Sequence, residues 1–365
     1  MLIAAVVTTF MGMSVDAPPI APTVPQPDYT AVMVGKSPGF EDARRIVLHH
    51  GHWTRIETTS NGDQTNEYWS SESGAKVTIR DQRGITLKSH IELLPGVDYE
   101  ARDTGERQTY LGESCTVWNV WRTRQPVQAS NFTHLSCITE DGITLWEKTL
   151  HGNDVSSSIE ASRIERRPVA AEDVQVPRTL LNLDWWDADL PSFSDPSAPD
   201  YERIMELSEG QPRSTRTTRR LGPWQFQDET TGSRRKISIT HDSGQAQLLY
   251  ESDESGAPRF LSMTRPGYSA ITASTAHERA ETSDLKRSET ILGERCRWFD
   301  MMHGVYGGGL LACLTRDGIA LKEVISGLGT SEQTWIATHL TRRPIKLDEI
   351  KPPAELLDPR RWGID

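Results

Sequence analysis

Few residues in this chain of 365 have types and spacings that could do chemistry, and most of those occur twice. His49-His50-Gly51-His52 is its one histidine cluster. On a strand His50 and His52 share a face and offer two metal ligands, but no third or fourth is visible. An exposed polar strand end is the competing reading. Asp141 and Asp317 each precede a glycine, and turn chemistry accounts for both. Glu147 and Glu323 recur beyond those turns. Carboxylates a whole copy apart need not face each other, so they do not make a glycosidase pair. There is no G-x-S-x-G, H-E-x-x-H, P-loop or dinucleotide fingerprint. Gly307-Gly308-Gly309 lacks a following Lys-Ser/Thr and reads as a flexible turn. Arg166-Arg167-Pro168 reads as the end of a strand rather than a phosphate site. No catalytic residue, metal or cofactor emerges. The chain reads as non-enzymatic, with an unrecognised hydrolase as a minor alternative.

The elements that position these residues form an internal repeat. The run from Cys137 to Glu147, C-I-T-E-D-G-I-T-L-W-E, returns as C-L-T-R-D-G-I-A-L-K-E from Cys313 to Glu323. Seven of these eleven positions are identical. The same offset carries Arg166-Arg167-Pro168 onto Arg342-Arg343-Pro344 and Trp186 onto Trp362. Leu111-Gly-Glu-Ser-Cys115 matches Leu292-Gly-Glu-Arg-Cys296, and Pro27-Asp28-Tyr29 matches Pro199-Asp200-Tyr201. Ordered matches with small drifts in offset imply duplication with loop insertions. The expected organisation is a first β repeat over 27–186, a linker over 187–198 and a second β repeat over 199–365. Within each copy short alternating runs of Val, Ile, Leu and Thr predict antiparallel strands. The Asp141-Gly142 and Asp317-Gly318 pairs predict type I′ hairpin turns. Helical signals are confined to 178–183 and 354–357. The fold class is therefore mainly β, two tandem curved antiparallel sheets with little helix. Trp186 and Trp362 would plug those sheets, or line a ligand cavity.

Each copy holds two cysteines, Cys115 with Cys137 and Cys296 with Cys313. A unit that once stood alone must have paired within itself, which selects Cys115–Cys137 and Cys296–Cys313 among the three pairings. Metal binding would need CxxC-like spacing, which is absent, and buried thiols are the other alternative. Residues 2–13 carry no charge and suit the apolar region of a signal peptide over 1–17, or else a buried element. A Pro-rich spacer over 18–26 follows. Disulfides and a signal peptide both place the mature protein in the periplasm or outside the cell, soluble after cleavage. Lys and Arg number 40 against 51 Asp and Glu, a net charge of −11, which argues against nucleic acid as a partner.

The succession H-W-T-R-I-E over 52–57, Gly-Glu-x-Cys, Cys-x-Thr-x-Asp-Gly-Ile-x-Leu and a proline-containing tail resembles the superfamily of periplasmic half-barrels related to the lipoprotein carrier LolA. The nearer likeness is to uncharacterised envelope members, here in tandem. The resemblance implies a strongly curved sheet whose apolar concave face is covered by helices, and in some members holds acyl chains. The carriers latch that cover with an arginine on an early strand. Arg55 sits in a similar local pattern, while the second copy reads Trp224-Gln-Phe-Gln-Asp228 without one. The implied partner is a hydrophobic small molecule or lipid. Its candidate lining is Ile143 and Leu145, or Ile319 and Leu321, with Trp118 and Trp298 from the preceding strands. A docking module for an envelope protein partner is the alternative.

Overall fold

A computed structural model describes residues 26–36, 43–60, 62–80, 84–89, 102–119, 132–182, 199–208, 213–241, 246–264, 281–303, 308–327 and 332–364. The expected signal peptide, the linker, Trp186 and Gly307 lie outside these residues. The described chain is mainly β, built of antiparallel ladders with helix confined to single turns. No helix among the described residues is long and apolar enough to cross a membrane.

The strands divide into two compact units. The amino-terminal unit contains β1 (Tyr29–Gly35), β2 (Arg44–His50), β3 (Trp53–Ser60), β4 (Asp63–Ser70), β5 (Lys76–Arg80), β6 (Gly84–Lys88), β7 (Arg102–Tyr110), β8 (Glu113–Asn119), β9 (Phe132–Thr139), β10 (Thr144–His151) and β11 (Asp154–Glu165). Residues 362–364 group with it, and Ser73 Oγ donates to the Gly363 carbonyl (2.8 Å). Consecutive strands pair as two meanders, and β1 closes onto β11 to join them. The order is therefore β6-β5-β4-β3-β2-β1-β11-β10-β9-β8-β7.

The carboxy-terminal unit contains β12 (Tyr201–Leu207), β13 (Ser214–Leu221), β14 (Trp224–Thr231), β15 (Arg234–His241), β16 (Ala246–Ser252), β17 (Pro258–Thr264), β18 (Glu281–Ile291), β19 (Glu294–His303), β20 (Gly308–Leu314), β21 (Ala320–Gly327) and β22 (Gln333–Arg342). Its order is β17-β16-β15-β14-β13-β12-β22-β21-β20-β19-β18. That is the same order, strand for strand.

Three register shifts also recur in place. One falls in the joining pair, at Val32/Met33 and at Ile204/Met205. One falls in the outer strand, between Asp103 and Arg107 and between Asp284 and Ser288. There Asp103 Oδ1 accepts the Gly105 N–H (2.7 Å) and Asp284 Oδ1 the Lys286 N–H (2.8 Å). A bulge in an outer strand twists its unpaired groups away from a flat partner, which discourages edge-to-edge pairing. The third makes Leu145 and Leu321 the extra residues of β10 and β21.

Alternation supplies the cores. Tyr29, Ala31 and Met33 are buried on β1 while the intervening residues are partly exposed, the period of two that a strand imposes. They pack with Val47, Ile143 and Ala161, and a second cluster joins Cys115, Val117, Cys137, Leu145 and Trp146. In the carboxy-terminal unit Met205, Cys296, Trp298, Cys313, Leu321, Trp335 and Ala337 form one cluster. After the last strand each chain segment turns back. The single-turn helix α1 (Ala171–Val174) packs on β2 and β3, and Arg55 Nη1 donates to the Asp173 carbonyl (3.4 Å). In the other unit Arg219 Nη1 donates to the Glu349 carbonyl (3.5 Å). The helical stretches expected at 178–183 and 354–357 are single 3-10 turns, Arg178–Leu181 and Ala354–Leu357.

Candidate functional site

The repeated motifs converge on one cluster in each unit. Thr139 Oγ1 accepts the Ile143 N–H (2.8 Å) and donates to Asp141 Oδ1 (2.6 Å), which fixes the carboxylate at the turn. Thr315 repeats this with the Ile319 N–H (2.9 Å) and Asp317. Gly142 N–H bonds the Thr139 carbonyl, and Gly318 N–H the Thr315 carbonyl (both 3.0 Å). Positive φ falls on Gly142 and Gly318 and not on the aspartates. These turns are thus not the expected type I′, which needs positive φ at both central residues. They are longer loops closed by a left-handed glycine.

Arg166 and Arg342, the first arginines of Arg-Arg-Pro, staple these turns. Arg166 grips Glu113 with Nη1 and Nη2 (2.8 and 2.6 Å) and donates to Asp141 from Nε and Nη2 (2.7 and 3.2 Å). Arg342 grips Glu294 (2.7 and 2.8 Å) and Asp317 (2.6 and 3.1 Å) in the same way. The planar fork of arginine suits such two-sided recognition. Arg342 holds the Asp317 carboxyl down at about 2 and the Glu294 carboxyl below its ordinary value, and Arg166 does the same for Glu113 and Asp141. Four of five guanidinium donors are engaged, so neither arginine is poised to grip a phosphate or a substrate carboxylate. A shallow depression lies over the carboxy-terminal staple, lined by Glu294, Arg295, Thr315, Arg316, Asp317 and Arg342.

Directly before each stapled glutamate stands a two-residue hairpin loop, Leu111-Gly112 between Tyr110 and Glu113, and Leu292-Gly293 between Ile291 and Glu294. Both loops have the type I′ signature, with φ of 52° and 79° in one and 54° and 76° in the other. Asn or Asp is the favoured first residue of such a turn. Leucine held left-handed costs about 1–2 kcal/mol of backbone strain. The side chains are only half-buried, at 51% and 48% exposed, and belong to neither unit's core clusters. Sequence reasoning missed these loops because Leu-Gly is not a hairpin signal. Their recurrence at the repeat's own spacing was the available clue.

The six nominated lining residues belong to two sets, one in each unit. Ile143, Leu145, Trp298, Ile319 and Leu321 are all buried. Ile143 packs with Tyr29 and Met33, Leu145 with the Cys115–Cys137 bridge, and Leu321 and Trp298 with the Cys296–Cys313 bridge. Trp298 faces Cys313 across the ladder, where the first unit has Val117 opposite Cys137. Trp118 pairs with Ser136 and so projects from the opposite face of β8. Both disulfides are formed as expected, with Cα–Cα distances of 5.4 and 5.3 Å.

The histidines part company, because β2 ends at His50 and Gly51-His52 is a turn. His50 Nδ1 bonds Asp28 (2.8 Å), His52 lies beside Glu72, and buried His49 bonds Thr54 (2.9 Å) and stacks on Tyr29. Among the described residues no group of three or more His, Cys, Asp or Glu could hold a metal. Glu147 and Glu323 each meet an arginine of their own unit, Arg45 (3.0 Å) and Arg216 (2.9 Å). Trp362 is fully buried.

No family model matches the chain, and no curated protein does. Among solved structures, the MucA/MucB complex of Pseudomonas aeruginosa is similar at 12% identity and a TM-score of 0.26, covering 65% of this chain and 87% of that one. A structure of PNGF-II is similar at 10% identity and a TM-score of 0.31, covering 88% and 69%.

Proposed function

We propose that the chain is a non-enzymatic, extracytoplasmic docking protein. On this reading two half-barrel units, descended from one ancestor, present their stapled Leu-Gly hairpins to an envelope protein partner. Two disulfides favour an oxidising compartment, the periplasm or the exterior. The shared strand order and matched bulges favour common descent. One observation carries the docking reading: at the same place in both units a strained, exposed leucine sits on a rigidly stapled turn. Strain kept at a half-exposed apolar side chain outside the core favours a functional position. A hydrophobic molecule or lipid bound on either sheet is the second reading. It would have to displace core side chains that are already packed, so docking stands first.

The test places a photo-crosslinking residue at position 111, 292 or 155 of the full chain in its native host. Val155 is a control of similar exposure, 49%. Adducts at 111 or 292 that are absent at 155 and lost on Arg166→Ala or Arg342→Ala support the reading. Equal labelling at all three positions, or none, overturns it.

A further inference from the structure

The two stapled tips share geometry but carry opposite charge. Around Arg166 stand three carboxylates, Glu113, Asp141 and the exposed Glu140. Around Glu294 and Asp317 stand three guanidinium groups, Arg342 and the exposed Arg295 and Arg316. The difference lies in two substitutions at matched positions, Ser114 against Arg295 and Glu140 against Arg316. The paired groups of the staple are equal in both, so these two positions give each tip its opposite sign, and Glu165 beside Arg166, where the second copy has Thr341, adds to the acidic side. Arg295 spends one donor on Ser288 Oγ (3.2 Å). Each tip adds one exposed leucine beside its charges. The basic tip also flanks the depression that Arg295, Thr315 and Arg316 help to line.

Resting on the docking reading, we infer that a tip's partner is the other tip of a second copy of this chain. The acidic Leu111 hairpin of one molecule seats against the basic Leu292 hairpin and depression of the next. Such a contact is heterologous, with different patches meeting, so it propagates head to tail unless the rotation closes a ring. Charge complementarity sets the pairing, since acidic against acidic tips repel. The chain's net charge of −11 opposes association at long range. At about 0.1 M salt the screening length is roughly 10 Å, which damps that repulsion and leaves the contact attraction. At about 1 M it is roughly 3 Å and the contact attraction weakens too.

The experiment is sedimentation of the full mature chain over a concentration series, with Glu140→Arg, with Arg316→Glu, and with an equimolar mixture of the two. Both substitutions are at exposed loop positions, and circular dichroism checks folding. The wild type is expected to show mass rising with concentration at 0.1 M salt and falling back at 1 M. Each single variant should associate at least tenfold more weakly. The mixture should recover association, because the intact acidic tip of Arg316→Glu then meets the intact basic tip of Glu140→Arg. A wild type that stays monomeric, variants that associate like it, or a mixture that stays dissociated overturns the inference. If that happens while position 111 or 292 still crosslinks another protein, the docking reading survives with a different partner. If the tips also crosslink nothing, both fall.

Discussion

The amino-terminal and carboxy-terminal units keep the same ladder and the same staple, yet they fill the region beside it differently. In the first, Glu147 meets one arginine, Arg45, and Ala31 occupies the neighbouring core position of β1. In the second, Arg203 stands at the place of Ala31, 2% exposed. It donates to Glu323 (3.1 Å), which also holds Arg216 over the Trp335 ring. His49 pairs across from Tyr29, and His49 and the following His50 stand where the second unit has Arg220, across from Tyr201, and Leu221. Core content therefore differs between the units while the turn, the staple and the exposed leucine do not. Packing tolerates substitution when volume and patterning are kept. On the docking reading the strained, half-exposed leucine present in both units serves contact rather than folding.

The sharpest way to break this comparison is the shared glutamate. Glu323→Gln leaves buried Arg203 without its carboxylate and Arg216 with Glu229 alone, and is expected to cost about 3 kcal/mol. Glu147→Gln exposes only the partly solvated Arg45 and should cost less than about 1 kcal/mol. Denaturant melts of both variants measure this, and equal losses would mean the two networks are equivalent. Removing either disulfide as a Cys→Ser pair should cost about 3 kcal/mol, similar in the two units because the closed loops are similar, 22 and 17 residues. Hydrogen exchange should place each loss in the unit that was cut.

Acid should separate the units next. Burial pushes the His49 and His134 imidazoles, both in the amino-terminal unit, below their ordinary value of 6.5. Folding then favours their neutral forms. That stability is complete above about pH 6.5 and is lost as pH falls through the lowered values. The staple carboxylates are depressed as well, and for Asp317 the loss falls between about pH 4 and 2. Protection from hydrogen exchange, corrected for intrinsic rates, should therefore fail first in β2 and β9 as pH falls below about 6.5, with β13 and β20 holding. His49→Gln with His134→Gln should abolish that early step. Arg166→Ala and Arg342→Ala should each cost about 1 kcal/mol, since the staples are near the surface and solvent-screened. Urea midpoints of the two variants should agree closely.

Much of the fold was legible because repetition exposed it. Cys115 with Cys137 and Cys296 with Cys313, the strand-rich units and the turns at Asp141 and Asp317 could all be read without coordinates. What escaped is local geometry that alternation cannot encode. Bulges at Leu145 and Leu321 shift the register within their own hairpins. Trp118 and Trp298 look alike in sequence, but they occupy unmatched positions of their strands and point to different faces. The histidine run straddles a strand end, so its members scatter to Thr54, Asp28 and Glu72. The Arg166 and Arg342 staples span residues far apart in the chain, which only the paired ladders bring together.

The smallest expected change in stability is also the most telling. Leu111→Asn and Leu292→Asn put the favoured residue into each type I′ turn and remove an exposed apolar side chain. If the leucines are kept for contact, each variant should be more stable than the wild type by about 1 kcal/mol. The pair together should lose association in sedimentation and lose crosslinking from the neighbouring strands. If the asparagine variants are instead less stable, or bind as the wild type does, the leucines serve the fold and the docking function is contradicted.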